Sequence, residues 1–157
     1  MSDLRDFIAP GRRIVTGVNK EGKSTIISDG NIPDSALVSF EKIKGGELWM
    51  EKDIPVNNRE NKDTLEGEEI QDWPEPGGMI ARMLTWEAGL EYPMHKSNTL
   101  DLIWVIFGKL ELILEEESTV LYPGDTCVQR GTMHGWKVLG DSQCTFVAVL
   151  LDADPLD

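Results

Sequence analysis

Histidine is almost missing from this chain: two residues in 157, His95 and His134. Cysteine is equally scarce. Cys127 and Cys144 lack the spacing of a metal-binding pair, so they read as small buried hydrophobes of a reducing, cytoplasmic compartment, with a Cys127–Cys144 bridge as the alternative. Positive charge is in deficit, with Lys+Arg 15 against Asp+Glu 28 and a net charge of −13. That balance argues against nucleic acid and anionic membrane surfaces, which select basic patches. Its plain meaning is solubility. No apolar run approaches the ~18 residues of a membrane span, and the opening MSDLRDFIAP has no apolar segment of the kind a leader needs. A sustained apolar stripe at helical period is also absent, so little helix is expected. The length suits one folded domain, 1–157, large enough to bury its own core.

What the chain does have is strand signal. Arg13–Gly17 and Thr25–Ser28 flank Asn19-Lys20-Glu21-Gly22, a hairpin turn, and Ala36–Phe40 and Glu47–Met50 flank Gly45-Gly46. These make residues 12–50 a block of N-terminal strands. The stretch 57–78 is crowded with charge, lacks periodicity and reads as a long solvated loop, with room for one helical turn. From Met79 the pattern tightens into strands at Met79–Glu87, Met94–Lys96, Leu100–Phe107, Lys109–Glu115, Ser118–Leu121, Thr126–Gln129, Gly135–Leu139 and Thr145–Leu151. Turn signals recur roughly every 8–12 residues, the mark of an antiparallel sandwich or barrel.

Both histidines fall inside glycine-framed segments. Gly89 is followed by five residues, His95-Lys96-Ser97, three residues, Asp101, six residues and Gly108. Gly124 is followed by four residues, Gln129-Arg130-Gly131-Thr132-Met133-His134, three residues and Val138. His95, Ser97 and Asp101 share parity, so an extended chain points them to one face, while Leu102, Trp104 and Ile106 point to the other.

In these two motifs, over 79–151, the chain resembles the cupin superfamily. The resemblance implies an all-β, antiparallel jelly-roll barrel with additional N-terminal strands. It also implies a divalent metal, commonly iron, manganese, nickel or zinc, held by three His and one Glu. Three positions depart from the pattern: Ser97 stands for a histidine, Asp101 for the glutamate and Val138 for a closing asparagine. Carried over residue by residue, the metal set becomes His95, Asp101 and His134, a two-His, one-carboxylate arrangement. Ser97 would then orient a bound water or substrate. Without metal, His134 with Asp101 or His95 would form an acid–base pair.

Other residues are candidates for a small-molecule substrate. Arg82, the only charge within Met79–Trp86, is read either as a partner for a carboxylate or enolate oxygen, or as an edge-strand side chain reaching solvent. Gln129 is read as orienting a ligand or bonding its own turn. Trp104 and Trp136 flank the motifs as substrate walls or core, and Trp49 as a cap on the barrel mouth or a dimer seam. The phrases around His95 and His134 resemble single-domain cupins of bacteria and fungal secondary metabolism, including aromatic and polyketide tailoring. That implies an enzyme acting on an oxygenated molecule as a metal-supported lyase, cyclase, isomerase or dioxygenase. A metal-free acid–base enzyme and a binding module without turnover remain alternatives. A homodimer is expected, because residues 12–50 offer strand edges that need covering.

Overall fold

The computed structural model describes residues 11–156; the opening decapeptide, read above as lacking a leader, lies outside them. It contains twelve strands and one short 3-10 turn, Asp34–Ala36, and no α-helix among the described residues. Among the described residues no helix is long and apolar enough to cross a membrane.

β1 (Arg13–Val18) and β2 (Ser24–Gly30) form a two-stranded hairpin of their own. Its turn closes as the residue types demand: Asn19 accepts from the Glu21 and Lys23 amides through Oδ1, at 2.9 and 3.0 Å. β3 (Leu37–Phe40), β4 (Ile43–Glu51), β5 (Met79–Trp86), β7 (Thr99–Phe107), β10 (Thr126–Gln129) and β12 (Cys144–Asp152) make a six-stranded sheet in the order β10-β7-β12-β5-β4-β3. β6 (Glu91–His95), β8 (Leu110–Leu114), β9 (Ser118–Leu121) and β11 (His134–Val138) make a four-stranded sheet in the order β6-β11-β8-β9. From β5 onward the chain passes back and forth between the sheets, and every pairing is antiparallel. This is the jelly-roll arrangement the motifs implied.

The core forms between the two sheets. Leu84, Val105 and Phe146 meet Leu112, Trp136 and Val138 from the other side. Alternation along β7 decides which side chains join it: Asp101, Ile103 and Val105 are buried, while Trp104 and Ile106 are exposed at 39% and 42%. Leu102, Trp104 and Ile106 therefore line the outer surface of the six-stranded sheet. β6 begins at Glu91, earlier than the Met94 expected from sequence. Pro93 is tolerated within it because β6 is the edge of its sheet.

The charged stretch 57–78 is more than a solvated loop. It forms no helix or strand, but Leu65 is 1% exposed and packs with Met50 and Ile80. Ile70 packs on the main core. Asp63 takes two bonds from the Arg13 guanidinium, at 2.6 and 2.7 Å, which ties the loop to β1 and holds the Asp63 carboxyl below its usual range. Two apolar residues among so many charges anchor the segment without leaving a periodic signal. Both cysteines are free; Cys144 is buried, and its thiol is pushed up to about 12 by that burial.

Candidate functional site

β6 and β11 are neighbours, and their register sets His95 directly opposite His134. The ring centroids lie 4.3 Å apart. Each Nδ1 sits 2.8 Å from the backbone oxygen two residues earlier, Pro93 for His95 and Thr132 for His134. A carbonyl oxygen only accepts, so both Nδ1 atoms carry a proton, and in the neutral form of each ring Nε2 is the bare nitrogen. The ladder slips between His134 and Trp136. At Gly135 a Cβ would meet the Tyr92 oxygen and Met94 Sδ at 3.1 Å, so glycine eases the close approach of β11 to β6. His134 is 2% exposed. Burial lowers its pKa, with His95 adding to that and the Thr132 carbonyl opposing it. His95 is half-buried.

Asp101 approaches from the other sheet, on the inward face of β7. It is buried, and its Oδ1 has no hydrogen-bond partner. Burial raises its pKa against the opposing pull of Thr99, Arg82 and His95. Arg82, on β5, faces Glu47 on β4 in register. Arg82 Nη2 donates to Glu47 Oε1 at 2.8 Å and to the Gln71 carbonyl at 2.7 Å, and Nε donates to Glu47 Oε2 at 3.3 Å. Burial raises the Glu47 carboxyl more than Arg82 lowers it. His95, His134, Asp101 and Arg82 line one cavity of about 320 Å³, with Trp86, Tyr92 and Trp136 among its aromatic walls. A larger hollow of about 830 Å³ lies under the β1–β2 hairpin, but none of the expected site residues reaches it. Charged side chains there pair with one another, Lys52 with Glu68 and Lys62 with Glu60.

Of the residues singled out from sequence, His95, His134, Asp101, Arg82 and Trp136 meet in this cavity. Trp104 does not: strand alternation puts it on the outer face, so its reading as a substrate wall is corrected. Ser97 also stays outside, its hydroxyl 2.7 Å from Thr99 Oγ1. The parity argument fails for Ser97 because β6 ends at His95 and the chain crosses to the other sheet before β7 starts. Gln129 bonds its own turn. Its Nε2 donates to the Arg130 carbonyl at 2.5 Å and to Thr132 Oγ1 at 2.7 Å, steadying the turn whose Thr132 carbonyl anchors His134. Arg82 is not at an edge; β5 lies between β12 and β4. Trp49 stacks under Arg13, with its centroid 5.7 Å from the guanidinium, away from the cavity mouth. Sequence reading missed Glu47, Trp86, Tyr92 and the segment 70–73, all of which line the cavity. A lone acid within the strand Glu47–Met50 was the only local signal for Glu47.

No family model matches the chain. It is 31% identical over 139 residues to the "Cupin-domain-containing oxidoreductase srdD" of Neurospora crassa, an alignment that covers 85% of this chain and 71% of that protein. The chain is a cupin. The "Phomopsin biosynthesis cluster protein D" of Diaporthe leptostromiformis is 36% identical over 84 residues, 52% of this chain and 44% of that one. Among solved structures, the cupin domain of Schizosaccharomyces pombe Cnp3 superposes with a TM-score of 0.56 at 14% identity, covering 91% of this chain and 88% of that one. That likeness shows the fold.

Cupins often bind metals, and an ion requires donors that converge on one point. The Nδ1 anchoring of both imidazoles is the outer-shell arrangement that metal-bound histidines use. Yet among the described residues no three His, Cys, Asp or Glu side chains gather around one point. Asp101 lies in the opposite sheet and does not join the imidazole pair as a third ligand. As placed, the cupin site offers two nitrogen donors rather than the His95, Asp101, His134 set expected from the motif.

Proposed function

We propose that this cupin is a small-molecule enzyme and that the 320 Å³ cavity is its active site, working by acid–base chemistry on an oxygenated, enolisable substrate. One observation carries the reading: a buried imidazole with a bare Nε2, His134, shares a cavity with a buried carboxyl, Asp101, whose charged form burial disfavours. His134 Nε2 takes a proton from the carbon or hydroxyl next to a substrate carbonyl. Asp101 donates a proton to that carbonyl oxygen as charge develops on it. His95, packed against His134 and nearer to solvent, passes the proton out. Enolisation, dehydration, cyclisation and isomerisation all need this pair of transfers, and the fold does not choose among them.

A second reading, in which a divalent iron, manganese, nickel or zinc supports an oxidoreductase or lyase, draws on the Nδ1 anchoring of both rings and on the name borne by the Neurospora relative. The Phomopsin-cluster name supports a setting in secondary metabolism. One experiment separates the readings. Exchange of the acetyl protons of 4-hydroxyacetophenone with D2O is followed on protein purified without a polyhistidine tag, before and after chelation. The acid–base reading expects catalysed exchange that survives chelation and is lost in His134→Gln. Exchange that vanishes with the chelator and returns with one metal would replace it with the second reading. Two further expectations stand as proposals: a reducing cytoplasmic setting, which the two free thiols suit, and a homodimer through the N-terminal strands, with β3 as an open sheet edge. A monomeric mass in solution would remove the latter.

A further inference from the structure

Three exposed aromatic side chains stand around the same cavity. Phe40 is 60% exposed, Trp73 47% and Tyr92 40%, and all three line it. They come from separate parts of the chain: β3, the segment 70–73 and β6. Trp104, Ile106 and Val128 are exposed too, but they lie on the outer face of the six-stranded sheet. Phe40 instead continues a wall that begins in the core. Val38 and Phe40 share parity on β3; Val38 is buried in the main core, and Phe40 carries the same face past its edge. Exposed apolar rings gathered at a concavity mark a binding surface.

The backbone beneath both outer rings is fixed. The turn after Phe40 is pinned to the end of β5, because the Lys42 carbonyl accepts from the Glu87 amide at 2.9 Å. Lys42 takes φ 64° there, a left-handed conformation uncommon for a residue with a side chain, which its surroundings must maintain. In the other segment Ile70 packs on the main core, and the Gln71 carbonyl accepts from Arg82 Nη2 at 2.7 Å, two residues before Trp73. Pro74, just after it, is buried. Tyr92 already stacks on Trp86 and meets the His95 ring edge-on. Phe40 and Trp73 have no aromatic or cationic partner among the described residues, so much of each ring meets water. The cavity itself, at about 320 Å³, is at the small end of the range for ligand pockets, about 300–1,000 Å³. A molecule with its head beside the histidines and a further ring beyond would cover the aromatic surface that the cavity leaves open.

Resting on the reading of this cavity as the active site, we propose that the substrate outreaches the cavity: its enolisable carbonyl end lies beside His95 and His134, and an aromatic tail packs on Phe40 and Trp73, which set the length of molecule the cupin prefers. The test uses acetophenone, 4-acetylbiphenyl and 4-hexylacetophenone, which share an acetylphenyl head and differ in tail. Dissociation constants are measured by isothermal titration near neutral pH while the histidine ring resonances are followed. The biphenyl is expected to bind at least tenfold more tightly than acetophenone, and both to move the His95 and His134 signals. The hexyl compound, with a tail of similar length but no second ring, should bind more weakly than the biphenyl. Phe40→Ser and Trp73→Ser should each lower the ratio of biphenyl to acetophenone affinity about three- to tenfold, the range of one aromatic contact. The two residues lie on separate elements, so if one variant fails to fold the other decides. Equal or weaker binding of the biphenyl overturns the proposal, while shifts of the histidine signals keep the active-site reading in place. A ratio unchanged in the variants overturns the role of the two rings, and a change from dimer to monomer mass alongside it would assign them to a contact between copies. Equal or tighter binding of the hexyl compound overturns the aromatic tail. If acetophenone at millimolar concentration and the biphenyl at saturation both leave His95 and His134 unperturbed, the active-site reading itself falls, and this proposal with it.

Discussion

The two glycines that bracket the first motif share a backbone conformation but not the space around it. Gly89 has φ 73° and nothing within 4 Å of where a Cβ would sit. Gly108 has φ 82°, and its Cβ would lie 2.3 Å from the Gln143 backbone oxygen and 2.8 Å from Cys144 Cα. A left-handed alanine costs about 1–2 kcal/mol in either place, partly offset by the reduced freedom of the unfolded chain, about 0.4–1 kcal/mol. Gly89→Ala should therefore lose about 0.5–1.5 kcal/mol. Gly108→Ala adds a collision with backbone that has no soft side chain to yield, about 1–3 kcal/mol more, for a total of about 2–4 kcal/mol. In a chain of this size each kcal/mol moves the thermal midpoint by about 2–4 °C. The expected losses are about 1–6 °C for Gly89→Ala and about 4–16 °C for Gly108→Ala, read by circular dichroism melts at one protein concentration. Equal losses in the two variants would refute the reasoning, because they would mean that the β7–β8 turn does not pack against the start of β12 as described.

Three further outcomes are expected. Glu47→Gln removes the counter-charge of the buried Arg82 and leaves it neutral carbonyl acceptors alone; stability should drop by about 1–3 kcal/mol, while 4-hydroxybenzoate binding strengthens about tenfold in an isothermal titration. Stability should also depend on pH through His134. Its pKa is lowered from 6.5, so below 6.5 the unfolded chain binds a proton that the folded chain refuses. Stability then declines as pH falls from 6.5 toward the folded value, and His134→Gln flattens that slope in denaturant titrations. Asp101 acts with the opposite sign: its raised carboxyl contributes stability fully present below 3.8 and lost as pH rises through the folded value. Finally, Trp104→Ser on the outer face should change probe affinity less than twofold; a loss beyond tenfold would restore Trp104 to the site.

The strands were legible because period-two alternation and glycine turns are local signals. Gly108 and the Pro123-Gly124-Asp125 turn mark strand ends that the structure reproduces. The pairing of His95 with His134 was legible too, since both motifs place an imidazole on a strand next to a turn. What stayed hidden depends on which residues meet across strands. Arg82 was flagged as a charge needing a partner, but Glu47 becomes that partner only through the β4–β5 register, which no local pattern encodes. Ser97 was misplaced because parity counting assumes one continuous strand, whereas the chain changes sheets between His95 and Thr99. Trp86 was passed over because its place in the cavity wall depends on which strands pair with β5, visible only once its neighbours are known.

The most direct test of the site is the protonation state of its two imidazoles. A long-range 1H–15N spectrum of the ring nitrogens, recorded near pH 8 where neutral rings dominate, reports which nitrogen carries the proton. Both His95 and His134 are expected as the Nδ1–H form, with Nε2 bare toward the cavity. Protonation at Nε2 in His134 would contradict the account, because the nitrogen assigned to take the substrate's proton would already hold one.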